Sequence, residues 1–381
     1  MKILRLQFLV MLAIVIGVPL FALPTFADDV VFKSHSMVIP DDPEFAYSAS
    51  QLWGLYAISA PEAWARGRGD KATVVAVIDS GIDKNHEDLA DNLWHATAAF
   101  HVNVGGTTID CRAGAYGFDA IDDDCEPEER QRHGTNVSGV IGARGDNEKG
   151  TVGVNWAVSL LPVAFMGGSS EGSASRAAKA LEFVRRVKES GVADVRVLNL
   201  SWGGHHHSRS IEDQLIALAE EGVVIVTSAG NEGRDNDNWP MYPASYDSVS
   251  TLISVAATGS DGNVARSSNH GKASVNIAAP GISIRTTDPN NSYDAPFGTS
   301  MAAAVVTGAV ALLASQCPAL TGMQLKELIL RTADRRQTLE PYVSDGRFLN
   351  LNAASAACAA MRGEHREAAL MGGALSRVMS P

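Results

Sequence analysis

The stretch that decides the fold is Ala72–Asp79, ATVVAVID, followed by Ser80-Gly81. Eight residues of mainly β-branched and small apolar type, stopped by an acid and a Gly turn, read as a strand buried on both faces. Working outward, amphipathic helical spacing runs from Ser173 to Ser190 and stops at Gly191. Strand Val195–Leu200, helix Ile211–Glu221 (stopped by Gly222) and strand Val223–Ser228 follow. Further helical stretches are His133–Gly142, Met301–Ala314, Met323–Ala333 and Ala353–Met361. Strands separated by helices of this length predict repeated βαβ units. The fold class is α/β, a mostly parallel twisted sheet with helices on both faces.

The chain has 381 residues, 45% hydrophobic and 19% charged, enough apolar material for a sizeable core. Its formal charge of −12 has the wrong sign for a general nucleic-acid binder. Residues 1–27 have the layout of a secretory signal peptide: Lys2 and Arg5, an apolar run Phe8–Leu23 interrupted by Pro19, then Thr25-Phe26-Ala27. A short segment 28–41, one catalytic-sized domain 42–360 and a tail 361–381 complete the expected organisation, without internal repeats. Export permits disulfides. Cys111, Cys125, Cys317 and Cys358 form an even set whose three possible pairings, and a fully reduced state, stay open.

Chemistry gathers where strands and loops end. Asp79 closes the first strand, His133 opens a helix in His133-Gly134-Thr135, and Ser300 opens another in Gly298-Thr299-Ser300-Met301-Ala302. A serine hydroxyl needs a base to take its proton. Histidine titrates near neutrality, and a carboxylate holds it in the useful tautomer. Singly, each residue is an ordinary turn-former, helix opener or N-cap. Together, VIDSGID, HGTNVSGVIGA and FGTSMAAAVVTGAVALL stand in the order Asp, His, Ser, with LNLSWGG, VTSAGNEG, YPASY and NIAAPG among them. The chain resembles the subtilisin family of serine peptidases from about Asp42 to Asn352.

That resemblance implies roles residue by residue. Asp79, His133 and Ser300 would form the triad, and Asn231 with the Ser300 backbone N–H the oxyanion hole. Ser201, Trp202 and Gly203 would pair with an extended substrate, an arrangement that binds peptides through their backbone. Ala229, Gly230 and Met241 would line the pocket for the residue before the cleaved bond, suiting medium apolar side chains. Glu232, near the rim, could attract a basic one. The chain departs from the family's pattern at Asn136, Ser138, Ala304 and Thr307, where His, Ala, Pro and Ala are usual. The segment before the domain is far shorter than the pro-domain of many relatives.

Two acidic constellations suggest structural Ca²⁺, which prefers hard oxygen ligands. One is the loop carrying Asp119, Asp122, Asp124, Glu126 and Glu128. The other matches a calcium site of thermostable relatives: Asp42, Asp88, the Asn147 side chain, and the carbonyls of Arg144, Lys149 and Thr151. The triad chemistry itself needs no metal. His205-His206-His207 cannot all face one ion. The sequence therefore predicts a secreted, monomeric, calcium-stabilised serine endopeptidase acting on polypeptides, free of the membrane after signal cleavage. Its rival is an inactive homologue that binds peptides or partners.

Overall fold

The computed structural model describes residues 37–47, 52–167 and 172–363. The expected signal peptide and nearly all of the expected tail lie outside the described residues. In chain order the strands are β1 (Gly69–Asp79), β2 (Phe100–Val104), β3 (Thr107–Cys111), β4 (Phe118–Asp119), β5 (Ala157–Ala164), β6 (Val195–Leu200) and β7 (Val224–Ser228). They continue as β8 (Leu252–Thr258), β9 (Ile277–Pro280), β10 (Thr286–Asp288), β11 (Ser292–Asp294), β12 (Asp334–Arg335) and β13 (Arg347–Phe348). The helices are α1 (Pro43–Tyr47), α2 (Trp53–Ala57), α3 (Ala60–Trp64), α4 (Arg132–Gly142), α5 (Ala174–Glu189), α6 (Arg209–Glu220), α7 (Thr299–Gln316) and α8 (Gly322–Thr332). Residues 351–363 are also helical.

Nine strands form one sheet in the order β12-β13-β9-β8-β7-β6-β1-β5-β4. Every neighbouring pair is parallel except β12 with β13. Alternation along the strands splits the core in two. Val75 and Val77 face the layer built on α4 and α7, whereas Val74, Ala76 and Ile78 face α5 and α6. This is the two-sided burial expected of a parallel sheet.

The helices follow their sequence signals. In α5 the apolar set Ala177, Ala180, Leu181, Val184 and Val187 lies on the buried face, and the Ser173 hydroxyl caps the helix by accepting from Arg176 N. α7 is different: apolar all round and almost wholly buried, it is long and apolar enough to cross a membrane. Its role here is a core helix, since it packs against β1, β6, β7, β8 and β9. Disulfides join Cys111 to Cys125 and Cys317 to Cys358.

After β1 the chain builds β5 and β4 on one side and then crosses to β6 on the other. Such a reversal opens a crevice at the carboxyl ends of the strands. Asp79 ends β1, Leu200 ends β6 and Ser228 ends β7, so Asp79, the 201–203 segment and the loop carrying Asn231 leave the sheet at this crevice, while His133 and Ser300 stand in the first turns of α4 and α7.

Candidate active site

Asp79 is buried and accepts a hydrogen bond from Ser80 N at 2.8 Å. Its two carboxylate oxygens lie 2.8 and 2.9 Å from His133 Nδ1. A carboxylate can only accept here, so Nδ1 carries the proton and Nε2 is left as the basic nitrogen when the ring is neutral. Burial works to lower the His133 pKa, but the charge of Asp79 and its hydrogen bond outweigh it, and the net shift is upward. The segment around His133 is pinned from below. The Ser80 hydroxyl donates to Gln131 O at 2.8 Å and accepts from Gly134 N at 3.0 Å.

Ser300 sits in the first turn of α7 and is 8% exposed. Its backbone N–H has no acceptor within the helix and points where the helix dipole is positive. Its hydroxyl donates to Ser201 O at 3.0 Å, not to His133. The proton-transfer contact expected from sequence is therefore not made in this state; catalytic hydrogen bonds often form only once substrate is bound.

Asn231 is oriented by Thr299. The Thr299 N–H and hydroxyl reach Asn231 Oδ1 at 2.8 and 3.1 Å. Because a backbone N–H can only donate, the atom facing it must be the carbonyl oxygen. The other amide atom is therefore the NH₂, a donor on an exposed residue next to the Gly298–Thr299 turn that leads into Ser300.

Two glycines shape the neighbouring pocket. A Cβ on Gly203 would come within 3.3 Å of Met241 Sδ, and one on Gly230 within 2.8 Å of Met241 Cε, so the buried Met241 lies between these two backbone walls. Gly230 also has φ of +110°, which side-chain-bearing residues rarely adopt. Gly204 and Tyr242 exchange two backbone hydrogen bonds of 2.8 Å, which fixes the spacing of the walls. Ala229 is buried behind them. The Trp202 indole donates to Ile78 O at 2.9 Å. Its ring lines a cavity of about 310 Å³ with Phe165, Ile211, Tyr242 and Tyr246 among its walls. Of this lining the sequence singles out Trp202 and Gly203; the rest comes from separate segments that no local pattern marks.

Two of the departures from the family pattern are taken up in hydrogen bonds with buried or partly buried partners. Asn136 donates to Thr287 O and Asp288 Oδ1 at 2.7 and 2.9 Å, and Thr307 donates to Asn199 Oδ1.

The two acidic constellations fare differently. In the 119–128 loop the carboxylates are engaged by cations and backbone rather than gathered around one point. Asp119 and Asp122 both bind Arg130, Glu126 binds Arg112 and Lys84, and Asp124 accepts from the Glu126 backbone. Glu128 is exposed, its N–H bonded to Glu126 O. Among the described residues no group of three His, Cys, Asp or Glu side chains is placed to hold a metal. The acidity of the loop is answered by cations from elsewhere in the chain, which a local reading of charge cannot see.

The second constellation does converge. Asp42 and Asp88 are both fully buried. Asp42 Oδ2 accepts from Asp146 N at 2.8 Å, while its Oδ1 is buried without a partner. Asp88 accepts from Asn147 Nδ2 and Thr151 N at 2.9 Å and from Tyr293 at 2.8 Å. Arg144 N donates to Asp88 O, and Lys149 N to Asn147 Oδ1. Burial pushes the Asp42 carboxyl up to about 7, hydrogen bonds from the 146–147 backbone oppose this, and the neighbouring Asp88 adds to it. Burial likewise raises Asp88. Two buried carboxylates, one with an orphan oxygen and neither in a salt bridge with Lys or Arg among the described residues, fit a hard divalent ion.

Comparison with known proteins agrees with this geometry. The family profile described as "Subtilase family" matches residues 70–352. Thermitase from Thermoactinomyces vulgaris is 31% identical over 310 residues, covering 81% of this chain and 96% of that protein. Subtilisin-like protease 2 of Plasmodium falciparum is 34% identical over 270 residues, 70% of this chain; the chain spans only 19% of that relative's length. A solved protease from Pseudoalteromonas arctica superposes with a TM-score of 0.69 at 24% identity, over 84% of this chain and 99% of that one, a likeness of fold. The chain belongs to the subtilase family. Its relatives, with names such as thermitase, subtilisin and alkaline protease, put it in the class of serine endopeptidases.

Proposed function

We propose that this chain cleaves extended polypeptides by acyl transfer through Ser300, outside the cytoplasm and as a monomer. The observation that carries the reading is the pairing of Asp79 with His133 Nδ1, with Ser300 and the Asn231 amide at the same crevice.

In the proposed mechanism a peptide lies along residues 201–203 as an added strand. Ser300 leaves its bond to Ser201 O, passes its proton to His133 Nε2 and attacks the substrate carbonyl. The resulting oxyanion is held by the Asn231 amide and the Ser300 backbone N–H. Asp79 stabilises the imidazolium and keeps Nε2 aimed at the reaction; it is not itself protonated. His133 then protonates the leaving amine, and water repeats the sequence on the acyl-enzyme. Met241 between Gly203 and Gly230 suits medium apolar side chains before the cleaved bond, and the cavity beside Trp202 suits a further apolar one upstream.

Calcium belongs to stability in this reading, not to the chemistry. Asp42, Asp88, Asn147 and the carbonyls of Arg144, Lys149 and Thr151 would hold it, tying the N-terminal segment to two loops. The bond from Ser300 to Ser201 instead of His133 is what an inactive, peptide-binding relative would also present. Labelling the purified protein with a fluorophosphonate separates the two. Modification of Ser300, lost together with peptide hydrolysis in a folded Ser300→Ala variant, supports the protease; an unlabelled but peptide-binding protein overturns it.

A further inference from the structure

The nucleophile is attached to a buried chain of side chains that the triad does not use. Thr307 Oγ1 donates to Asn199 Oδ1 at 2.8 Å, Asn199 Nδ2 to Ser201 Oγ at 2.9 Å, and Ser201 Oγ to Ser300 O at 2.9 Å. The Ser300 hydroxyl closes a ring by donating to Ser201 O. Thr307 and Asn199 are fully buried and Ser201 nearly so, which shields every link from water.

The placement follows from two periodicities. Thr307 is seven residues after Ser300, two turns along α7 and on the same face. Asn199 and Ser201 are two residues apart at the end of β6, so both point to the same side of the sheet, toward α7. The chain of bonds thus leaves α7 two turns down, crosses to β6 and returns to α7 at its first turn.

Its direction is fixed from one end. The Ser300 carbonyl can only accept, so Ser201 Oγ must donate to it. Ser201 then needs a donor from Asn199, which presents its NH₂. Asn199 Oδ1 is left facing Thr307, whose hydroxyl must donate. Without that hydroxyl, Asn199 Oδ1 is buried and unsatisfied. Rotating the amide would offer the oxygen to Ser201 and draw the Ser201 proton away from the Ser300 carbonyl.

We propose that Thr307 and Asn199 are positioning residues for Ser300: they set the polarity of a hydrogen-bond relay that clamps the first turn of α7 against Ser201. The inference rests on the proteolytic reading above. The relay predicts that Thr307→Val, equal in shape but lacking the hydroxyl, lowers kcat and the fluorophosphonate labelling rate about tenfold, because a small misplacement of a reacting group is costly. KM should change less than about twofold, since peptide binding is not touched. Thr307→Ser should restore kcat to within about twofold of the parent by restoring the donor. If the Val protein does not fold, Thr307→Ala, with the family's own residue, takes its place.

A double variant separates positioning from plain destabilisation. Adding Thr307→Val to Ser201→Ala should slow labelling no further than Ser201→Ala alone, because the relay is already cut. Parent-like kcat in Thr307→Val with only a lower Tm, or losses that add in the double variant, would overturn the relay and leave the protease reading intact. A parent protein that no fluorophosphonate labels would overturn the protease reading, and the relay with it.

Discussion

His133 Nδ1 lies within 2.9 Å of both carboxylate oxygens of Asp79, joining the end of β1 to the start of α4 across 54 positions of chain. The contact fixes both the tautomer and the charge preference of the base. Burial alone would make His133 harder to protonate, yet Asp79 reverses the sign.

The pH profile follows from that sign. His133 accepts the Ser300 proton only when neutral, so activity is present above its pKa and lost as pH falls through it. The upward shift moves this acid limb above the ordinary imidazole value of about 6.5. In Asp79→Asn both raising causes disappear and burial remains. The limb should therefore move to lower pH while kcat falls by about 10⁴, the loss seen for triad aspartates in serine proteases. A kcat/KM profile from pH 4 to 9 checks both, and an unmoved limb in the variant would count against the assignment.

Replacing Ser300 should abolish turnover without unfolding the protein. Ser300→Ala loses only a hydroxyl whose partner, Ser201 O, lies at the cleft, so Tm should change by no more than a few degrees. Rapid casein hydrolysis by this variant would sink the assignment of the nucleophile.

Calcium should protect Asp42 and Asp88 in a pH-dependent way. The Asp42 carboxyl is raised to about 7 in the folded chain, so without metal the native state favours its protonated form. That contribution is complete below the unfolded value of about 3.9 and is lost as pH rises through 7. The chelated protein should thus lose Tm between pH 5 and 8, whereas millimolar Ca²⁺ should hold it. At a hundredfold excess over Kd the ion adds about 2.7 kcal/mol. Asp88→Ala should remove the response to Ca²⁺, and Asp123→Ala, which breaks only a pair with Lys179 at the surface, should keep it. Coincident melting curves in EDTA and in Ca²⁺ would remove the calcium proposal alone.

Pocket size should set the residue accepted before the cleaved bond. Met241→Ala empties the space between Gly203 and Gly230, so kcat/KM should shift toward Phe and Tyr over Ala by roughly tenfold, the scale of 1–3 kcal/mol for apolar pocket contacts. A library of peptide substrates read by mass spectrometry measures this. Conversely Gly230→Ala, which needs φ of +110° and pushes a Cβ into Met241 and Asn269, should lower activity toward every peptide and reduce stability.

The sequence by itself determined the parallel sheet and singled out the segments carrying Asp79, His133 and Ser300. A strand such as Ala72–Asp79 is buried on both faces, so its apolar run is continuous and legible, and the motifs at Asp79, His133 and Ser300 sit where strands and helices must end. What the tertiary structure alone decided was which charges and hydroxyls meet. The acidic run around Asp119 does not show in sequence that Arg130 folds onto it, whereas Asp42 and Asp88 are brought together from segments far apart in the chain. Thr307 reads as one more small residue in an apolar helix until β6 brings Asn199 against it. Local patterning encodes burial because burial repeats every two or 3.6 residues. Pairing between distant polar groups has no period, and only the packed chain sets it.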